Sequence, residues 1–286
     1  AAVAWGRNMV LIHVKCTGEN SDEFIVEASV EDSNEELIGK VVEIWNLRLR
    51  LGLLCGAMLD LAAHGPMKPS EEQGIDEIKE QYEEAVIEKG EFYSADPNGC
   101  RNGNGVGPQL SDTFQQVVRD AEAGLSPDLA RKRQAVKIED LKEKLETMRG
   151  AVMMAFPMGL PEFDIVALAL ESADGLAGTS VGNSVLDAET ATLWCAGREF
   201  QRGEFVKDRV GRNEKTKVIC KLQRPGGGAP GREPGISEDE RKAMMAHYFK
   251  KQEEMKRLAE ADDDEYLHSS WADPKQLQKS LRGMTA

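Results

Sequence analysis

"MVLIHVKCTGENSDEFIVEASV" (residues 9–30) places Val10, Ile12 and Val14 on one face of an extended run, breaks at the turn-forming "TGENSD", and resumes as a second β-prone run, "EFIVEASV". The pattern reads as a hairpin. Immediately after it, Ser33 or Asn34 can cap a helix through Leu37, Val41, Ile44 and Trp45, with Glu35 and Glu36 placed against the positive end of the helix dipole. "LRLRL" from Leu47 alternates with period two and is compatible with a strand. The following "LLCGAMLDLAAHG" suits a second helix ending at Gly65 and Pro66, and helix is the preferred reading.

Farther along, residues 66–109 carry ten acidic and four basic residues, and "DPNGCRNGNGVGP" is a loop by composition. Apolar spacing predicts three amphipathic helices: one through Ile75, Ile78, Tyr82 and Val86, one through Leu110, Phe114, Val117 and Ala121, and one through Ile138, Leu141, Leu145 and Met148. Together they read as a helical insertion. "GAVMMAFP" from Gly150 does not alternate, so it reads as a strand buried on both faces. Pro157, Gly159 and Pro161 then make a corner, because proline lacks an amide proton for a ladder and glycine tolerates left-handed dihedrals. "DIVALALE" returns as a strand or short helix. After the loop "DGLAGTSVGN", a helix is expected from Asp187 through Leu193, Trp194 and Phe200, followed by the closing strand "KTKVICKLQ". In that strand Val218, Cys220 and Leu222 oppose Lys217, Ile219 and Lys221.

"RPGGGAPGREPG" has too much glycine and proline for regular structure and serves as a linker. Ser237 with Glu240 then forms a capping box for a long helix bearing Met244, Met245, Tyr248, Met255 and Leu258. The run "ADDDEYLHSSWADP" is expected to end it, since aspartates oppose the macrodipole at a helix C-terminus.

Bulk properties narrow the function. A chain of 286 residues holds two modest domains, or one core with a large insertion and tails. Its net charge of −14 repels a phosphate backbone, so nucleic acid is not an expected partner. The longest apolar stretch, from Leu47, is cut by Arg48, Arg50 and Asp60, so no bilayer span is expected. Residues 1–8 lack the charged region and apolar core of a secretory signal and read as an extension before Met9. Five dispersed cysteines without a CxxC pair indicate a reduced, cytosolic chain with no zinc site.

Sites of catalytic chemistry are not legible. "GNGVG" at residues 103–107 is flanked by a loop and Pro108, where a phosphate loop needs a strand before it, a helix immediately after it and a Lys-Ser/Thr or ribose-binding acid in place, and His13, His64, His247 and His268 have no nucleophile in their sequence context. Asp262, Asp263 and Asp264 are not spread as a cation loop requires, and read as a solvated acidic run. Two features point to protein binding instead. Between Arg198 and Arg224 nine basic residues face four acidic ones, a strip that would attract an acidic partner if exposed, or form a solvated strand face if not. Tyr266 and Trp271 sit in a polar tail too short for its own core, where large aromatics dock onto the body or a partner.

Four segments carry a resemblance: "MVLIHVK" at Met9, "RGAVMMAFPMGLPEFD" at Arg149, "GRNEKTKVICKLQRPGGGAPGREPGIS" at Gly211, and "KKQEEMKRLAEADDDEYLHSSWADP" at Lys250. Together they resemble the Kurly family of cilia- and flagella-associated proteins, number 298 in that series, from Met9 to about Asp273, more loosely through residues 66–130. The resemblance implies a non-enzymatic factor in ciliary motility, required for assembly of axonemal dynein arms. Its expected partners are dynein chains and assembly factors, its expected locations the cytoplasm and the axoneme. The alternative is a stable structural subunit of the axoneme, bound to tubulin of the doublet microtubules or to dynein bases. Expected partner-binding residues are Met158 and Leu160 of the proline corner, Arg212, Lys215, Lys217, Lys221 and Arg224 of the basic strip, and Tyr266 and Trp271 of the tail. No cofactor is expected.

The fold expected is α+β: a small mixed sheet resembling a ubiquitin-like β-grasp, with a helical insertion and a C-terminal helix plus tail. The hairpin and the strands at Ala151 and Lys217 would share that sheet. The expected divisions are 1–8, the extension; 9–65, hairpin and helices; 66–149, the acidic helical insertion; 150–223, completing the body; 224–236, the linker; and 237–286, helix and tail.

Overall fold

The structure, a computed structural model, describes residues 9–16, 22–74, 89–172, 176–231, 238–268 and 274–282. Two compact units divide the chain, Ala1–Pro230 and Gly231–Ala286.

In the first unit the alternation of residues 9–30 folds as expected. Strands β1 (Val10–Cys16) and β2 (Glu23–Ala28) pair antiparallel, with Val10 opposite Ala28 and Val14 opposite Phe24. Strand β5 (Lys217–Gln223) lies parallel to β1, its Val218 beside Ile12 and Cys220 beside Val14. On its other side β5 pairs antiparallel with β3 (Thr192–Cys195), which turns into the two-residue β4 (Arg198–Glu199). The order β2-β1-β5-β3-β4 makes a five-stranded mixed sheet in an α+β protein, an order compatible with the β-grasp expected.

Two strand assignments need correction. The segment expected as a helix from Asp187 holds β3 and β4, joined by Ala196 and Gly197, both at positive φ (49° and 77°). Such a turn matches the twist of the strands it joins. The segment expected as a buried strand at Ala151 is the last turn and a half of a helix, Ile138–Ala155. Its Ala151 and Val152 are buried while Met153 and Met154 are exposed, so one side of a helix faces the core and the other faces water.

Helix α1 (Asn34–His64) follows the hairpin as one element where two helices were expected. Ser33 Oγ accepts from the Glu36 amide at 3.2 Å, and Glu36 Oε2 accepts from the Ser33 amide at 3.4 Å, the reciprocal capping box that satisfies orphan donors. "LRLRL" is helical because Leu47, Arg48, Leu49 and Leu51 are all buried, so a period-two pattern carries no outward face there. Gly65 ends the helix at φ 73°, as the sequence indicated.

Helices α2 (Pro108–Leu125), with proline in its first turn, and α4 (Ile138–Ala155) pack on α1, joined by the short α3 (Asp128–Arg131). The short α5 (Ile165–Glu171) also packs on α1, and "DIVALALE" is therefore helix. Phe114, Leu145, Met148 and Val166 belong to the same core cluster as Ile12, Phe24 and Leu222 of the sheet. A last short helix, α6 (Val206–Val210), precedes β5.

The second unit contains α7 (Glu238–His268) and α8 (Pro274–Arg282). Helix α7 runs through Asp262, Asp263 and Asp264, where the macrodipole argument expected it to stop. The expected cap at Ser237 and the expected helix at Ile75–Val86 lie outside the described residues.

Candidate protein-binding surfaces

The proline corner begins where α4 ends. The Phe156 amide closes on the Val152 carbonyl at 2.8 Å, the Gly159 amide on the Phe156 carbonyl at 2.9 Å, and Gly159 takes φ 85°. Asp164, fully buried, fixes the far side. Its Oδ1 accepts from the Val166 amide at 2.8 Å and caps α5, while its Oδ2 accepts from the Met67 amide at 2.9 Å and from Arg101 Nη1 at 3.4 Å. The corner thus joins two helices and is hydrogen-bonded at both of its ends. Outside it, Met153, Met154, Met158 and Phe163 are exposed, Met158 to 98%. Leu160 is half-buried and packs against the core. Sequence reading found Met158 but missed Met153 and Met154, because a strand buried on both faces leaves no exposed methionine, and it gave no sign of the exposure of Phe163.

The basic strip lies on and around β5. Arg212, Lys215, Lys217 and Arg224 are exposed and Lys221 is half-buried, with Ile219 exposed between Lys217 and Lys221. Across the parallel ladder Leu11 pairs with Lys217, His13 with Ile219 and Lys15 with Lys221; across the antiparallel one Trp194 pairs with Lys221. His13 is buried and its Nε2 lies 3.1 Å from Glu23 Oε2. Burial, then the charge of Lys217, hold its pKa below the usual histidine value despite Glu23. On the core side of the same strands, Cys195 stands directly opposite Cys220. A hydrogen bond from the Cys220 thiol lowers the Cys195 pKa to about 7 against the opposing effect of burial, with Arg209 assisting.

Tyr266 lies on α7 and Trp271 outside the described residues. Elsewhere on α7, Met244, Met245, Tyr248, Phe249 and Met255 are exposed, and the Tyr248 and Phe249 rings meet edge to face at 6.4 Å.

The glycine-rich stretch has a structural occupation. The Gly103 amide donates to the His64 carbonyl and the Val106 amide to the Ala62 carbonyl, so the loop closes the C-terminal carbonyls of α1. A Cβ at Gly105 would stand 2.5 Å from the Ala63 carbonyl oxygen, which explains a glycine there without any phosphate. Asp96 organises the preceding turn, accepting from the amides of Asn98, Cys100 and Arg101 at 2.9–3.0 Å. Burial alone would raise its pKa; the three donors together bring it below the usual carboxylate value. A groove of about 960 Å³ between α1, Lys142 and residues 177–188 is lined by Val42, Glu43, Asn46, Arg50 and Leu186. Among the described residues no group of three or more His, Cys, Asp or Glu is placed to hold a metal ion, and no helix is long and apolar enough to cross a membrane.

Fold and surface together define an α+β protein that presents exposed methionines on one joint, a lysine-flanked isoleucine on its sheet, and an apolar-bearing long helix. The chain belongs to the family of cilia- and flagella-associated protein 298. It is 39% identical over 285 residues to cilia- and flagella-associated protein 298 of Danio rerio, covering 97% of this chain and 98% of that one. It is 36% identical to the 298-B protein of Xenopus laevis, covering 96% and 97%, and 39% identical to the Homo sapiens protein, again covering 96% and 97%. The sequence model of the family described as cilia- and flagella-associated protein 298 matches residues 191–286, which include β3, β5 and α7. No solved structure matches the chain.

Proposed function

We propose that this chain is a non-catalytic factor of ciliary motility, needed for assembly of axonemal dynein arms, and that it acts in the cytoplasm by holding other protein chains. The relatives' names, cilia- and flagella-associated protein 298, support the ciliary part. The observation that carries the binding part is the exposure of Met153, Met154, Met158 and Phe163, from the end of α4 through the proline corner. Methionine is flexible and polarisable and adapts to a partner's surface, and Asp164 anchors the far side of the corner beside which these residues lie. An apolar patch of this kind on a folded body marks an interaction site.

The test is affinity purification from ciliated cells, split into cytosolic and axonemal fractions. Dynein chains and assembly factors are expected with the wild-type protein in cytosol, and loss of most of that recovery with Met153, Met154 and Met158 replaced by Gln. Equal recovery with the variant removes the corner from the interface, and absence of dynein chains from the wild-type cytosolic fraction overturns the assembly role. The exposed basic strip favours one other reading, a permanent axonemal subunit seated on acidic tubulin or a dynein base. Stoichiometric protein in salt-washed axonemes would decide for it.

A further inference from the structure

We propose that the open face of the sheet, along β5, binds an acidic segment of a partner protein by seating one apolar anchor on Ile219 between two carboxylates that meet Lys217 and Lys221. The inference deepens the protein-binding reading above and rests on it, but on a different surface from the proline corner.

Ile219 is the one large apolar side chain on a strand that is exposed among the described residues, at 53%. Its strand pairs with β1 through Ile219 and with β3 from Cys220 onward, so Ile219 stands on the sheet face just before the β3 ladder begins. Registered neighbours build an apolar floor around it. Leu11, beside Lys217, and Trp194, beside Lys221, are both half-buried on the same face, and His13 directly across from Ile219 is almost wholly covered. A lone exposed isoleucine needs no explanation, but one ringed by a half-covered leucine and tryptophan is a shallow seat for a side chain.

Charge sets what that seat accepts. Lys217 and Lys221 bracket Ile219 at steps of two residues, about 6.6 Å each along a strand, and Lys15 lies beside Lys221. Arg212 and Lys215 before the strand and Arg224 after it extend the same sign. The acidic residues of this face stand on β2 and β4, and Glu23 is engaged by His13. In a chain of net charge −14, whose remaining surface repels acidic partners, such a basic line is where an acidic one is attracted. A segment with a leucine or aromatic residue flanked by carboxylates at both sides fits sign and spacing together. Its charges would speed encounter, and its anchor would set residence time.

The probe is a fluorescent synthetic peptide in a Gly/Ser background carrying Glu-Ser-Leu-Ser-Glu, titrated with the full chain by anisotropy at 50 and 300 mM salt, ordinary experimental settings that bracket strong and weak screening. Binding is expected to weaken about 10-fold with K217E/K221E, which also flattens the salt dependence. With Ile219→Thr, which keeps β-branching, about 5-fold weakening at an unchanged salt slope is expected. Thermal unfolding should shift little for either variant, because Lys217 and Ile219 are exposed, Lys221 is half-exposed, and surface substitutions change stability little. Equal affinity for a leucine-free glutamate peptide or for single-stranded nucleic acid overturns the anchored acidic segment. So does wild-type affinity in either variant, or no binding by the wild-type chain. If these fail while dynein chains still co-purify with the wild-type protein, this face is excluded and the proposed function stands; loss of the co-purification itself is the separate failure of that function.

Discussion

Asp164 ties three segments through one carboxylate, and its partners explain why sequence reading could not find it. Arg101 lies 63 residues away and Met67 lies 97 away, whereas the Ser33–Glu36 box spans three residues and was legible at once. Short-range chemistry is written in spacing; long-range satisfaction of a buried carboxylate is not. The cysteines make the same point. Nothing in five scattered positions sets Cys195 opposite Cys220, yet that pairing brings the Cys195 thiol into the physiological range. Alkylation of Cys195 by iodoacetamide, followed by peptide mass spectrometry, should therefore rise about tenfold per pH unit below 7 and level off above about pH 7. Cys16 and Cys55, whose thiols burial pushes up, Cys55 to about 11, should remain nearly unmodified over the same range. Uniform labelling of all three would remove the thiol–thiol hydrogen bond from the account.

Among the elements, α1 shows what pattern reading can and cannot resolve. Its cap and its glycine stop were legible, but its middle was not, because a helix buried around most of its circumference loses the polar stripe that marks period 3.6. Residues 150–155 misled in the same way: Ala151 and Val152 continue the face of Leu141, Leu145 and Met148, and the two methionines beyond them belong to water. Strand β3 was hidden for another reason. Four residues are too few to establish alternation, and its extended form depends on pairing with β5. The exposed glycines of α1 give a direct test. Gly52 and Gly56 have open space where a Cβ would stand, so Gly52→Ala and Gly56→Ala should each raise stability by about 1 kcal/mol in urea unfolding. Gly105→Ala, driven against the Ala63 carbonyl, should lower it by about 2 kcal/mol or more. Opposite signs at the three sites would mean that the loop, and not the helix, has room to spare.

At the scale of the molecule, the mixed α+β class and the period-two strip of Lys217, Ile219 and Lys221 were both legible, since each is carried by a strand of ordinary length. The exposure of Met153 and Met154 was not, because it depends on which side of α4 meets the core. The division at Pro230 predicts that the chain cut after that residue keeps one cooperative urea transition and the near-ultraviolet circular dichroism of its buried Trp45. Loss of that signal would make residues beyond the cut part of the body's core. The parallel pair of β1 and β5 has a consequence for synthesis. Leu11 meets Lys217, so the ribosome must deliver more than two hundred residues before the first strand finds its second neighbour. Until then the nascent hairpin waits with an open edge, and any message cut short ahead of that point yields a sheet that cannot close and invites capture by chaperones or by other unfinished chains.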